Sequence, residues 1–498
     1  MTNPIPLSKS RIVNGIQCPK RLYLEVHHRE LATPTTKSQQ TIFDQGHQVG
    51  FEAQKLYPGG ILIDADYRDT DLGFKETLLA LTKNPDTLFE ATVVYEGVSA
   101  RADIFKKTPS GAWEIIEVKS TGSVKDYHSD DAAVQLWVFR GYGLQVEKIS
   151  IMHINNQYLI PEKDQLFTKV DVTHEVELRL KDIPKIVHDL REILKSENSP
   201  VIDIGPQCSS PHRCPFIAHC WQHVPSPSLF DLPGLNKKDV WEFYKKGTLK
   251  IDHPDLKNLT GIAARAIAVH KTKMPFIDQK EIQNEIQKWN FPLSFLDFET
   301  VGLAIPQIPF TRPFQQVPFQ FSLHIQNQKN AKLEHREFLH TQRSDPREAL
   351  ALALLDSIPK EGNIVAYHMS TEKGVIEDLA EYMAATIPDK ACELKTLLDR
   401  FVDPLPLFRR AVYDEKFLGS FSIKSVAPAL LGEKLSYENL VVAEGQAAQI
   451  AYSELIHKDT PEARKKELET ELLRYCKQDT FALAELVHWL WKVAGSTP

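Results

Sequence analysis

The amino-acid sequence predicts a mixed α/β protein with more than one domain. The chain has 498 residues, whereas a domain holds roughly 150. Its content of 42% apolar and 25% charged residues is typical of folded chains with a packed core. From about residue 291 onward, apolar strand-like segments alternate with helix-like segments, which is typical of layered α/β folds. Disordered, collagen-like and coiled-coil architectures are therefore excluded.

Charge and hydropathy restrict the possible partners. Lys and Arg number 59 against 66 Asp and Glu, giving a net charge of −7, so a nucleic acid would have to bind in local basic grooves. The N-terminal segment has no apolar signal-peptide core, and no stretch approaches the ~20 apolar residues that span a membrane. We expect a cytoplasmic protein with no membrane partner.

The chain is predicted to divide into three parts. A Pro- and Ser-rich stretch at 223–234 indicates a boundary. We predict an N-terminal domain over residues 1–225, a helical linker over 226–288 that faintly resembles helix-hairpin-helix modules, and a C-terminal domain over 289–498.

Two carboxylates and a lysine form the first candidate site. Residues 88–106 read as a hairpin turning at Glu96-Gly97, followed by a strand over 113–120. Strand side chains alternate, so Glu117 and Lys119 share one face. With Asp103 from the preceding strand, Glu117 could hold a divalent cation, and Lys119 could position water or stabilise phosphate charge. The alternative is a solvated hairpin edge carrying ordinary charges.

Two further residues flank this site. His47 lies in a stretch whose apolar positions 42, 46, 49, 53 and 56 recur at helical spacing. A single histidine there more often packs or caps than binds metal. Gln135 lies on a helix predicted after the Glu-x-Lys strand.

The order of these residues resembles the PD-(D/E)XK nucleases of the RecB type, which have a restriction-endonuclease-like fold. Ala102 replaces the usual proline before the aspartate, and no tyrosine follows the glutamine in the usual way. The resemblance implies a metal site with His47, Asp103 and Glu117 as ligands. It implies these catalytic residues: Asp103, Glu117, Lys119 and Gln135.

Four cysteines indicate a second cofactor. Cys208, Cys214 and Cys220 follow one another with five intervening residues, and Cys18 lies far upstream. Thiolates suit zinc or an iron–sulfur cluster, with neighbouring histidines as possible substitute ligands. The arrangement resembles the iron–sulfur staple of RecB-like nucleases, which include CRISPR-associated and helicase–nuclease members. This resemblance implies a 4Fe-4S cluster that ties the two ends of the domain together, with zinc as the alternative.

A second acidic constellation lies in the C-terminal part. Asp297 and Glu299 fall on one strand face and would repel each other without a cation. Asp479 interrupts the apolar stripe of a helix near the C-terminus, with Tyr475 one turn before it. Glu372 lies in the first turn of a predicted helix, where a carboxylate is more often a cap.

Together these residues resemble the DEDD exonucleases, which have an RNase H-like fold. That family binds two metal ions through four carboxylates, and a tyrosine or histidine positions the attacking water. The resemblance implies metal binding by Asp297, Glu299, Glu372 and Asp479, with Tyr475 catalytic. Glu372 departs from the usual Asn-x-x-x-Asp motif. The whole chain resembles bacterial proteins that fuse the two nuclease types.

The sequence therefore predicts a nuclease that depends on Mg²⁺ or Mn²⁺ and has two active sites. Nucleic acid is the expected partner, with single-stranded DNA favoured and RNA possible, and a helicase or another DNA-processing protein could act with it. One alternative is a single active nuclease domain with the other domain binding substrate. Another is a nucleic-acid-binding scaffold built from decayed nuclease folds.

Overall fold

The protein is described from a computed structural model, which covers residues 6–160, 165–432, 435 and 445–495. The chain forms two compact units. The first comprises residues 1–223 and 303–314, and the second comprises 224–302 and 315–498. The predicted mixed α/β class is confirmed. Within the described residues, no helix combines the length and the apolar character needed to cross a membrane.

The first unit is built around one large sheet. Its described strands and helices are β1 (Leu7–Ser8), α1 (Lys9–Gln17), α2 (Pro19–His27), α3 (Lys37–Gln54), β2 (Ile61–Leu62), α4 (Thr70–Leu81), β3 (Thr87–Tyr95), β4 (Val98–Lys107), β5 (Trp113–Lys119), α5 (Asp126–Gly141), β6 (Val146–Ile154), β7 (Phe167–Asp171), α6 (Thr173–Leu180), α7 (Ile183–Lys195) and α8 (Ile217–Cys220).

The strand order of this sheet is β2-β3-β4-β5-β6-β7, with β1 pairing in parallel with β4. β3 and β4 form the predicted hairpin, because Glu96 and Gly97 both adopt the positive φ that a tight hairpin turn requires. β5 pairs in parallel with β6 through the crossover helix α5. Ile115 packs on the α5 side of the sheet, and Ile116 packs with α3 on the other side. The sheet is thus covered on both faces.

The predicted helix around His47 is confirmed as α3, but its apolar stripe is only partly buried. Val49 and Ala53 are fully buried. Ile42 and Leu56, which we expected on the same buried stripe, are about half exposed, and Leu56 lies beyond the end of the helix. Only the C-terminal half of α3 therefore packs on the sheet through this stripe.

The second unit contains a mixed sheet with helices around it. Its described elements are α9 (Lys237–Lys245), α10 (Gly261–Thr272), β8 (Phe276–Ile277), α11 (Gln279–Ile286), β9 (Leu293–Val301), β10 (Val317–Gln326), β11 (Glu334–Leu339), α12 (Arg347–Ser357), β12 (Ile364–Val365), α13 (Ser370–Ala384), α14 (Pro388–Leu397), β13 (Phe401–Val402), α15 (Pro404–Ala411), β14 (Val412–Tyr413), α16 (Ile423–Leu431), α17 (Gly445–Leu455) and α18 (Glu462–Val493).

The strand order here is β11-β10-β9-β12-β13, and β8 and β14 form a separate pair. β9 is antiparallel to β10 and parallel to β12. Leu296 and Phe298 pack on the side of α12 and α13, whereas Phe295 packs on the side of α18. This alternation directs Asp297 and Glu299, which share the face of Phe295, toward α18.

Two features concern the predicted division of the chain. Residues 226–288 form helices and the short strand β8, and their side chains, including Leu229 and Ile282, belong to a core of the second unit. Residues 303–314 lie in the first unit, where Ala304 packs with Ile104 and Ile116. The three-part division itself stays a prediction.

Candidate functional site

The first candidate site lies where β5 faces α5. Glu117 and Lys119 share one strand face as predicted, and the Lys119 Nζ donates to Glu117 Oε1 at 2.8 Å. Gln135 on α5 is fully buried, and its Nε2 donates to Glu117 Oε2 at 2.5 Å and to the Arg101 carbonyl oxygen at 2.7 Å. Gln135 therefore orients the Glu117 carboxylate.

Two residues that the sequence analysis did not identify complete this site. Asp131 lies one turn before Gln135 and accepts a hydrogen bond from Lys119 Nζ at 2.6 Å. Lys9, the first residue of α1, lies 2.8 Å from Glu117 Oε1 and 3.1 Å from Asp131 Oδ1. We call the set Lys9, Asp103, Glu117, Lys119 and Asp131 the lysine-paired cluster.

The electrostatics of the lysine-paired cluster follow from this pairing. Burial lowers the pKa of Lys9, but the attraction of Asp131 and Glu117 outweighs it and raises the pKa above the ordinary value. Burial raises the pKa of Asp131, and the two lysines more than reverse the effect, so the pKa is lowered. Burial lowers the pKa of Lys119 as well, but Asp131 and Glu117 outweigh it and raise the pKa. Lys9, Lys119 and Asp131 are therefore ionised at neutral pH.

Asp103 has a different environment. Its Oδ2 accepts a hydrogen bond from the Val118 backbone N–H at 2.6 Å, so it lies beside β5 as predicted. Burial, followed by the charges of Glu117 and Glu90, raises its pKa well above the usual range.

Glu90 has a φ of 58°, a strained value for a non-glycine residue. His47 is exposed on α3, and its nearest described link to the site is an electrostatic effect on Glu90.

The four predicted cysteine ligands line one cavity, which we call the cysteine pocket. Cys18 is the single residue between α1 and α2, and Gln17 beside it donates to two carbonyl oxygens of the downstream cysteine loop, those of Gln207 and His212. The pocket is thus closed by chain segments nearly two hundred residues apart. The described cysteines are free, with no disulfide among them.

Cationic side chains also line the cysteine pocket. Lys20 and Arg21 belong to its wall, and the Arg21 Nε is buried without a hydrogen-bond partner. Burial raises the pKa of Cys214 and of Cys220. Arg21 opposes this rise for Cys214, and Lys20 opposes it for Cys220. A buried donor without an acceptor and four convergent thiols fit an anionic metal–thiolate group.

The second candidate site lies between β9 and α18. Asp297 and Glu299 extend from β9, and α18 brings Tyr475, Cys476 and Asp479 to the same place. All five residues are mostly or fully buried. The predicted inward stripe of α18 is confirmed, because Asp479 is only 9% exposed and lies among buried apolar residues.

Polar contacts hold α18 against the sheet. The Gln320 Nε2 on β10 donates to the Leu472 carbonyl oxygen at 2.9 Å. The hydroxyl groups of Ser322 and Thr480 lie 2.7 Å apart, and His324 Nδ1 lies 2.8 Å from the Thr480 hydroxyl. Because Thr480 follows Asp479, these contacts fix the rotation of α18 that directs Asp479 to the site.

Glu372 reaches this site from α13, where it lies in the first turn as predicted. β12 runs parallel to β9 and ends at Val365, opposite Phe295, and α13 begins soon after it, so Glu372 approaches the part of β9 that carries Asp297. Its Oε2 is buried without a hydrogen-bond partner. The backbone N–H groups of His368 and Met369 donate to Asp403 at 3.0 and 3.1 Å, which fixes the loop before α13.

The carboxylates of the second site are close neighbours in a buried environment. We call the set Asp297, Glu299, Glu372 and Asp479 the carboxylate cluster. Burial, then Asp479 and the other two acids, raises the pKa of Asp297 well above its usual range. Burial and Asp479 do the same for Glu299, against a smaller lowering by Lys424. Burial raises the pKa of Glu372 to about 7.

A tyrosine and a lysine adjoin the carboxylate cluster. The Lys424 Nζ on α16 donates to the Tyr475 hydroxyl at 3.0 Å. Burial, followed by the charges of Asp479 and Glu299, raises the pKa of Tyr475. The phenol is therefore protonated at neutral pH and can donate a hydrogen bond.

Cys476 is the residue of this site that the sequence analysis missed. Its side chain on α18 is completely buried, and its S–H donates to Asp297 Oδ2 at 3.6 Å. The ligand atoms of Asp297, Glu299 and Cys476 all lie within 4.8 Å of one another, a grouping that could hold a metal ion. Burial and the neighbouring acids raise the pKa of the thiol.

Comparisons with known proteins give a family match for one part of the chain. A family model described as "Domain of unknown function (DUF2779)" matches residues 294–422, which run from the second residue of β9 to just before α16. No curated protein matches the chain. A solved structure titled "Crystal structure of SSO0001" covers 44% of this chain and 86% of its own, with 17% identity and a TM-score of 0.21.

Proposed function

We propose that the protein is a metal-dependent nuclease whose principal active site is the carboxylate cluster of the second unit. The observation that carries the proposal is the convergence of Asp297, Glu299 and Glu372. They are buried together with raised pKa values and no described Lys, Arg or His within salt-bridge distance. Such a cluster is costly to ionise unless a cation is bound.

The donor set fits the metal that the DEDD resemblance implies. Carboxylate oxygens suit Mg²⁺ and Mn²⁺, and the Glu372 Oε2 has an unused acceptor. A bound divalent cation would supply an activated water and stabilise charge on the phosphodiester oxygens. Asp297, Glu299, Glu372 and Asp479 would hold it.

The chain's own groups supply the remaining functions. Tyr475 lies beside the carboxylates with its hydroxyl fixed by Lys424, so it can orient a water molecule for attack. Lys424 is a cation beside the acidic site and can contact a substrate phosphate. These roles agree with an RNase H-like domain of the DEDD type that releases mononucleotides from the 3′ end.

For the first unit we propose a RecB-like PD-(D/E)XK domain. The contacts of Glu117 with Lys119 and Gln135 support the proposed motif. The exposure of His47 weakens its proposed role as a ligand. The lysines already neutralise two of the acids, which favours the alternative in which this unit binds nucleic acid while the second unit cuts it.

The cysteine pocket is proposed to hold a 4Fe-4S cluster. Four thiols, two cationic neighbours and an unpaired Arg21 Nε fit such an anionic group, which would join Cys18 to the distant loop. Protein prepared without oxygen should contain iron and absorb visible light. Cys18→Ala should abolish both, and Cys392→Ala, in the second unit, should preserve them. Stoichiometric zinc without iron would instead establish the zinc alternative.

The proposed nuclease is tested with end-labelled single- and double-stranded DNA and RNA. We expect cleavage with Mg²⁺ or Mn²⁺, strongest on single-stranded DNA, and none in excess chelator. Asp297→Asn should remove the 3′-to-5′ products. Unchanged products from this variant on all four substrates would contradict the assignment of the active site to the second unit.

A further inference from the structure

Cys476 lies inside the carboxylate cluster rather than beside it. Its sulfur is completely buried, and its nearest described polar groups are two oxygens of one residue, Asp297 Oδ2 at 3.6 Å and the Asp297 carbonyl at 3.8 Å. It extends from α18 one helical turn before Asp479. The thiol is therefore part of the surface that faces any cation bound by Asp297.

The spacing of the donor atoms suits one cation. A carboxylate oxygen of Asp297, one of Glu299 and the Cys476 sulfur lie within 4.8 Å of one another. Ligand bonds to divalent ions are about 2.0–2.6 Å long, so two ligands of one ion are separated by up to about 5 Å. The three donors thus need little movement to share an ion.

An independent observation also indicates a ligand here. Glu372 is 5% exposed and its Oε2 has no hydrogen-bond partner. Its charge is felt by both Asp297 and Glu299. A buried carboxylate oxygen without a donor, beside three convergent donor atoms, indicates a cation site rather than a closed hydrogen-bond network.

We propose that Cys476 is a ligand of the cation held by Asp297 and Glu299, and that this site therefore binds thiophilic divalent ions, such as Zn²⁺ and Cd²⁺, more tightly than Mg²⁺. The inference rests on the proposed metal site and adds its ion selectivity. Sulfur donors favour soft and borderline ions, whereas Mg²⁺ prefers oxygen. On binding, the S–H bond breaks, the sulfur binds the ion, and the proton passes to the solvent.

The experiment measures ion binding and not nuclease activity. The full chain with its cysteine pocket loaded is titrated with Cd²⁺ and, separately, with Mg²⁺, by calorimetry and by the ultraviolet absorption of cadmium–thiolate bonds. Cys476→Ser is the test variant, Cys476→Ala is a second one, and Cys392→Ser is the matched control on an exposed cysteine. Circular dichroism verifies that each variant is folded.

We expect Cys476→Ser and Cys476→Ala to weaken Cd²⁺ binding by about tenfold or more and to remove the thiolate absorption of one site. Mg²⁺ affinity should change by less than about threefold in both, and Cys392→Ser should match the wild type. Equal losses for the two ions, or undiminished Cd²⁺ binding, would overturn the inference.

One further variant separates this inference from the proposed function. Asp297→Asn should weaken both ions. If it does so while Cys476→Ser binds Cd²⁺ normally, the thiol is not a ligand and the carboxylate metal site stands. If Asp297→Asn binds both ions normally, the second unit has no metal site here and the inference fails with it.

Discussion

In the first unit, two lysine side chains lie against the carboxylates of Glu117 and Asp131. In the second unit, Asp297, Glu299 and Glu372 have no described cationic side chain within salt-bridge distance. Both clusters bury several acids beside a central strand. In the first, two lysines are paired with the acids, whereas among the described residues of the second, Lys424 only partly opposes the rise in the pKa of Glu299. A count of buried acids alone therefore does not indicate how strongly a site requires metal.

The prediction with the largest expected effect concerns the cleavage rate of variants in the two clusters. Asp297→Asn should lower the cleavage rate by about three orders of magnitude, because loss of a metal-binding carboxylate removes several kcal/mol of charge stabilisation. Glu117→Gln, in the other unit, is the matched variant. Rates of product release from end-labelled DNA are measured for both. If Glu117→Gln abolishes all cleavage and Asp297→Asn none, the contrast is reversed.

The same two substitutions should change local stability in opposite directions. Without metal at pH 8, Glu117→Gln should destabilise the first unit by about 3 kcal/mol, since it removes one of the two carboxylates that pair Lys9 and Lys119. Asp297→Asn should stabilise the second unit, because it removes a charge whose ionisation burial disfavours. Hydrogen exchange of peptides from β5 and β9 measures each unit separately. Destabilisation of both units would show that groups within the protein also compensate the acids of the second cluster.

Tyr475→Phe should reduce cleavage on the order of 10²-fold, the contribution of a positioned proton-transfer group. The substitution keeps the ring and removes only the hydroxyl that Lys424 fixes. Metal affinity should stay unchanged, which calorimetry tests. A large loss of metal affinity would place the hydroxyl among the metal contacts instead.

The pH dependence of metal binding should also distinguish the two clusters, with a smaller expected effect. Burial raises the pKa of Glu372 to about 7, so this acid stabilises the metal-free second unit below about pH 4.5 and that stability is lost as pH rises through 7. Metal binding requires the ionised form, so Mn²⁺ affinity should increase up to about tenfold per pH unit until pH 7. Calorimetry at pH 5.5 to 8 measures this increase. Glu372→Gln should make the increase less steep, because Asp297 and Glu299 still have to ionise, and an unchanged slope in this variant would contradict the assignment.

Local patterns predicted the strands and helices that carry the motifs. Alternation placed Glu117 and Asp297 on the correct strands, and helical spacing placed Asp479 on the buried face of α18. These features depend on neighbours a few residues apart. The proposed roles of these residues stay predictions.

Two of the missed residues, Lys9 and Cys476, depend on contacts between distant parts of the chain. Lys9 meets Glu117 across 108 positions, and Cys476 meets Asp297 across 179. The periodic patterns of strands and helices relate residues only a few positions apart, so they do not predict such pairs. For Cys476, the helical stripe that identified Asp479 also contained the cysteine, and comparing its donor chemistry with that of the acids would have identified it.

The return of residues 303–314 to the first unit has a consequence for how the gene can be divided. Only Gly302 separates this segment from β9, which carries Asp297. A fragment ending at residue 223 would lack Ala304 and the backbone hydrogen bonds that Ile160 exchanges with Phe310 and Thr311. A single cut in the chain therefore leaves one of the two units incomplete. The two units should be expressed and engineered together as one chain.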